Sequence, residues 1–176
     1  FKDNPEEFIV KAAALINDEK ATAVIEHITY DVLDDHYGTD VFTDPTIKGR
    51  LGVNAMKAQK HLYDHIVYDS TVERDFAANL DTNTNVAVYV KLPDGFYIAT
   101  PVGHYNPDWA IAFYEGSVKH IYFVAETKGS MRSMQLRLIE QSKIHCAREH
   151  FKAISGDNVV YDVVDSFQSL LEKVMR

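Results

Sequence analysis

The sequence predicts an α/β fold of the α+β kind, built around a largely antiparallel sheet. Three observations predict it. From Asp69 onward, a helix-period segment is followed by a run of strand-like segments, then by a helix, a strand and a last helix. The strand-like segments are short, rich in β-branched and aromatic residues, and separated by Pro93-Asp94-Gly95 and Glu115-Gly116-Ser117 turns. The chain has 176 residues, 46% of them apolar, enough for one core: one domain, or one domain with an appendage.

Asn4-Pro5-Glu6-Glu7 is a helix start, with a capping residue, proline at the first helical position and acids in the first turn. Phe8, Ile9, Ala12, Ala13 and Ile16 form its apolar stripe, to about Asp18. Ala23 to Tyr30 is partly alternating and β-branched, which predicts a strand; Val41-Phe42 predicts a short return strand. Lys57 to Tyr68 is ambiguous, with helix slightly favoured. Residues 1–66 thus form an accessory region, and 67–176 carry the main domain. Ser70-Thr71-Val72-Glu73 has the pattern of a capping box, opening a helix with Val72, Phe76 and Leu80 as its buried stripe. Val86–Val90 and Phe96–Thr100 are strands, followed by the two strands of a hairpin between Tyr105 and Lys128. Ser133–Phe151 is a helix, Val159–Tyr161 a strand, and Asp165 caps a last helix with Phe167, Leu170, Leu171 and Val174 on its apolar side.

The net charge is -8, which argues at first sight against nucleic acid. Its distribution says more. Residues 1–118 carry 9 Lys and Arg against 19 Asp and Glu, whereas 119–152 carry 7 against 3, so the basic surplus follows the hairpin. No run is long and apolar enough to span a membrane as a helix. The single cysteine, Cys146, forms no internal disulfide, which is compatible with a cytoplasmic location. Phe1 in place of Met, with no signal peptide, reads as a fragment or processed piece.

The chemistry concentrates in the hairpin. Glu126 and Lys128 point to one side of a strand, with Thr127 opposite. Pro107 cannot donate to a ladder, so Asp108 belongs at a strand start, near one end of the sheet. Three charges, Asp108, Glu126 and Lys128, can then gather there. Two carboxylates suit a hard cation such as Mg²⁺, and the lysine would orient or deprotonate a water or hold a phosphate. The bland alternative is a Glu126–Lys128 ion pair on a solvated strand end, with an unrelated Asp108.

Pro107-Asp108 followed by Glu126-x-Lys128 resembles the PD-(D/E)xK nuclease motif. Lys91-Leu92-Pro93, Thr100-Pro101-Val102-Gly103, Tyr105-Asn106-Pro107-Asp108-Trp109, Ala125-Glu126-Thr127-Lys128-Gly129 and Lys143-Ile144-x-Cys146-Ala147-x-x-His150-Phe151 extend the likeness. Together they resemble the C-terminal nuclease domain of the restriction subunit of type III restriction–modification enzymes, over about residues 66–152. The resemblance implies a restriction-endonuclease-like core, a central mixed sheet flanked by helices. It also implies Mg²⁺-dependent cleavage of double-stranded DNA, an ATP-driven helicase-like motor elsewhere in the same subunit, and a modification (methyltransferase) subunit as partner. No Gly-x-x-x-x-Gly-Lys-Ser/Thr phosphate loop occurs, so the motor's ATP site is outside this chain. Asp108 and Glu126 are then the metal ligands, Lys128 the catalytic lysine, and the Thr127 carbonyl a further ligand. Glu73 is the candidate for the acid that such nucleases often carry on the first core helix; the alternative is that it only closes the capping box with Ser70. Arg132, Gln141 and Lys143 would face the DNA backbone, or be plain solvated residues. Two rival functions remain open: another PD-(D/E)xK repair or junction nuclease, and a non-catalytic docking module with the same fold.

His61 and His65 are spaced to ligate a metal if their segment is helical, but lack a third ligand. His145 and His150 do not share a helix face, and His104 is only near the site. Trp109 and Cys146 read as core residues.

Overall fold

The computed structural model of the chain describes residues 4–34, 37–43, 49–116, 122–127, 134–155 and 159–175; of residues 18, 22, 39, 122–127 and 134–137 it describes the backbone alone. The first helix, α1 (Pro5–Ile25), starts as expected: the Glu7 amide donates to Asn4 Oδ1 at 3.0 Å. It does not stop near Asp18. It runs through Ala23–Ile25, where a strand was expected, and residues 28–33 carry no regular structure. The segment 19–23 holds no glycine or proline, and its alanines favour helix over the β-branched preference that follows. Its apolar stripe is largely exposed: Phe8, Ile9 and Ile16 each keep more than half of their surface, while Ile25 is buried.

Two further expectations in the accessory region are corrected. Thr39–Phe42 is a 3₁₀ turn, not a strand. Residues 57–68 are not helical. Strands β1 (Ala55–Lys57) and β2 (His65–Val67) form an antiparallel hairpin instead, and Ile66 enters the main core. Three-residue strands carry too little pattern to be told from a helical turn. A boundary between residues 66 and 67 falls inside β2.

Helix α2 (Thr71–Thr82) is capped by Ser70, whose hydroxyl accepts the Glu73 amide at 3.2 Å. Phe76, Ala77 and Leu80 face the core. Val72, expected in the buried stripe, is 42% exposed, and Ala77 is buried beside Phe76 and Leu80 instead.

The central sheet has four strands in the order β3 (Val86–Lys91), β6 (Trp109–Phe113), β7 (Tyr122–Thr127) and β8 (Val159–Val164). β3/β6 and β6/β7 are antiparallel and β7/β8 is parallel, so the sheet is mixed. The parallel pair needs a crossover, and α3 (Met134–Ile154) supplies it. The expected strand at 96–100 is only Ile98–Thr100 (β4), and it pairs with Gly103–Tyr105 (β5) in a separate hairpin. With that hairpin set aside, the core order is α-β-β-β-α-β-α. Gly116 sits at φ +79 after β6, a conformation only glycine adopts without strain.

Each face of the sheet has its own core. Trp109, Phe76, Tyr89, Leu170 and Val174 pack under α2 and α4 (Phe167–Val174). Tyr105, Tyr161, Ile144, Ala147 and Phe151 pack under α3 and the β4–β5 hairpin. The cap of α4 is Ser166, one residue after the expected Asp165; its hydroxyl accepts the Ser169 amide, and Ser169 reciprocates. The loop after α1 is tied to β4–β5 by Tyr30, which donates to the Ala99 carbonyl at 2.9 Å, and by Tyr37, which donates to the Tyr97 carbonyl at 2.6 Å.

Candidate active site

The end of the sheet where β6 begins is organised by its register. Lys91 pairs with Trp109, Trp109 with Ala125, and Ala125 with Asp162. One step further the Leu92 amide donates to the Asp108 carbonyl at 2.8 Å, which continues the ladder past the end of β3. The same step from Trp109–Ala125 sets position 108 beside position 126 on hydrogen-bonded neighbours. Pro107 is fully buried and Trp109 has no exposed surface, with Phe76 at 5.6 Å and Tyr89 at 6.3 Å between ring centres. Asp108 itself is half-buried. The bulky residues on both sides lock its backbone and leave the acid at the rim.

The backbone register therefore brings Asp108 and Glu126 together, with Thr127 next along β7. Lys128 and Arg132 lie outside the described residues, as does the side chain of Glu126. On α3, Gln141 is exposed and Lys143 half-buried. Among the described residues, no three His, Cys, Asp or Glu side chains gather into a metal-binding cluster. Positions 108 and 126 carry carboxylates and Thr127 a main-chain carbonyl, an oxygen set that would fit a hard divalent cation.

Glu73 has a definite place. Its carboxylate Oε2 accepts from the Asp69 amide at 2.8 Å and from Lys91 Nζ at 2.8 Å. The Ser70 half of the capping box is present, but the glutamate returns to the Asp69 amide and not to that of Ser70. Lys91 also reaches Asp69 Oδ2 at 2.8 Å. Burial acts to lower the Lys91 pKa, yet the Asp69 and Glu73 carboxylates outweigh it and the net shift is upward. Lys91 is thus a firm ammonium. Its role at this corner was not foreseen, although a lysine closing the apolar run Val86–Val90 was a visible signal.

The two histidines spaced by four do not share a helix. His61 lies in the loop between β1 and β2, and its Nε2 accepts the Lys91 amide at 3.1 Å. Tyr89 donates its amide to Lys60 and accepts from Leu62, both at 3.0 Å, so this loop covers the outer edge of β3. Asp81 fixes the loop by accepting the Gln59 amide at 2.9 Å and the Lys60 amide at 2.8 Å. A cleft of about 530 Å³ opens beside Lys91, with His61, Tyr63, Asp69 and Leu92 among its walls. His104 is exposed and stacks on Tyr97 at 3.9 Å. His150 meets the Tyr30 ring edge-on at 5.0 Å.

A family model described as "Endonuclease domain" matches residues 59–167. The chain belongs to this endonuclease domain family. No curated protein matches it, and no solved structure does. The match starts in the loop that carries His61 and ends at the first residue of α4. It takes in the whole central sheet, α2, α3 and every candidate residue from Glu73 to Lys143. Membership in the endonuclease domain family implies DNA cleavage, with DNA as the substrate. The mixed α+β architecture is consistent with it.

Proposed function

We propose that this endonuclease domain is the cleavage module of the restriction subunit of a type III restriction–modification enzyme. It hydrolyses phosphodiester bonds of double-stranded DNA with Mg²⁺, at a centre formed by Asp108, Glu126 and Lys128. The observation that carries this reading is the register Trp109–Ala125, from which Asp108 falls beside Glu126 at one end of two hydrogen-bonded strands. Paired carboxylates at a sheet end are costly unless a cation offsets them. Asp108, Glu126 and the Thr127 carbonyl would hold the ion, with Glu73 on α2 as the additional acid. Mg²⁺ bound there supplies Lewis-acid polarisation of the phosphoryl oxygen and offsets charge on the leaving oxygen. Lys128 orients the attacking water, whose oxygen bonds to phosphorus as the bond to the leaving sugar oxygen breaks. Arg132, Gln141 and Lys143 would contact the DNA backbone, since they belong to the stretch of sequence with the basic surplus. ATP-driven movement belongs to a helicase-like region of the same subunit, and sequence reading to a modification subunit, in the cytoplasm.

The test is the Asp108→Asn variant of the assembled enzyme. Cleavage of a DNA substrate is lost while ATP hydrolysis continues at the wild-type rate. Retained cleavage in that variant removes Asp108 from the centre and overturns the assignment.

A further inference from the structure

We propose that Lys91 is a positioning residue of the cleavage centre, joining Glu73 and the Asp108 backbone into one unit; this rests on the Asp108–Glu126 reading above. Lys91 is held at three points. Its amide goes to His61 Nε2, its ammonium to Glu73 and Asp69, and its register partner is Trp109, the residue after Asp108. The next amide in the chain, that of Leu92, donates to the Asp108 carbonyl. One residue thus couples the end of β3, the first turn of α2 and the start of β6.

The ion pair is of the kind that fixes geometry. Exposed pairs contribute little and wander. Here the Lys91 and Glu73 side chains are 22% and 15% exposed, and Glu73 is held a second time by the Asp69 amide. Both donors meet on Oε2, so the Glu73 carboxylate is oriented by one oxygen. Removing the ammonium takes away one of the two donors that fix Glu73 Oε2 and leaves a mostly buried carboxylate without its ion-pair partner, so it turns from its present place. The acid offered to the metal then changes in place. Residues that orient metal-binding groups are typically worth about 10–100-fold in metal affinity or activity.

Mn²⁺ and Mg²⁺ titrated calorimetrically into the protein, with cleavage by the assembled enzyme followed against metal concentration, test this. Lys91→Met is expected to weaken metal affinity by about 10–100-fold and to leave KM for DNA unchanged. Lys91→Arg, which keeps the charge, recovers most of the loss. Glu73→Gln reproduces the effect, and the double variant is no worse than the weaker single one. A clamp that serves stability alone gives a lower unfolding midpoint in Lys91→Met with metal affinity unchanged, and that overturns the proposal. If Lys91→Met fails to fold, Lys91→Gln, which still donates a hydrogen bond, carries the same comparison, and unchanged metal affinity there overturns it too. Metal affinity that survives Asp108→Asn overturns the underlying reading, and this inference with it.

Discussion

His61 meets its partners only as a neutral ring. Nε2 accepts the Lys91 amide, so Nδ1 carries the proton and donates to the Tyr63 carbonyl at 3.2 Å. Burial lowers its pKa from 6.5, and the Tyr63 carbonyl and the Asp81 charge restore only part of the loss. Burial lowers that of His150 as well. For a histidine depressed in this way, the unfolded chain takes up the proton first. The contribution to stability is complete above 6.5 and is lost as pH falls below it, toward the lower folded value. The unfolding midpoint should therefore drop between about pH 7 and pH 5. His61→Gln, which keeps an acceptor near Nε2 without titrating, should flatten part of that drop. An unchanged slope in the variant would exclude His61 as a source. Asp162 shows the opposite dependence on its surroundings. Burial pushes its pKa up, but Lys173 and Arg148, the latter at 2.7 Å, outweigh burial and hold it below 3.8. Its share of the stability persists above that value and disappears only in stronger acid.

At the scale of elements, α4 is closed at its start by a reciprocal pair of serines, Ser166 and Ser169. Ser166→Ala should cost about 1 kcal/mol in urea denaturation, with the slope against urea unchanged. The longer elements were readable in the sequence. Val86–Lys91 and Trp109–Phe113 alternate or run apolar, and Phe76, Ile144, Ala147, Leu170 and Val174 recur at helical spacing. The accessory region was not readable, for a physical reason. Val24 and Ile25 favour a strand locally, yet an uninterrupted helix with a good cap continues through them. β1 and β2 are held by register and by Ile66 in the core, neither of which shows in three residues of sequence. At the site, the adjacency of positions 108 and 126 followed from strand alternation and from Pro107. The Glu73–Lys91 pair did not, because it joins residues 18 apart through the docking of α2 on the sheet.

Across the whole molecule, the two cores meet through a single sheet, and Trp109 stands where the first of them reaches the candidate centre. It is the chain's only tryptophan, without exposed surface, and its backbone directly follows Asp108. That makes it a native optical probe. Its fluorescence should be blue-shifted in the folded protein and move to the red on unfolding, in one transition coincident with loss of the helical circular dichroism signal. Two separated transitions would show that the α2–α4 core and the α3 core melt independently. No label is needed to watch this corner: when DNA or a divalent ion is added, a change in indole emission reports from one residue away.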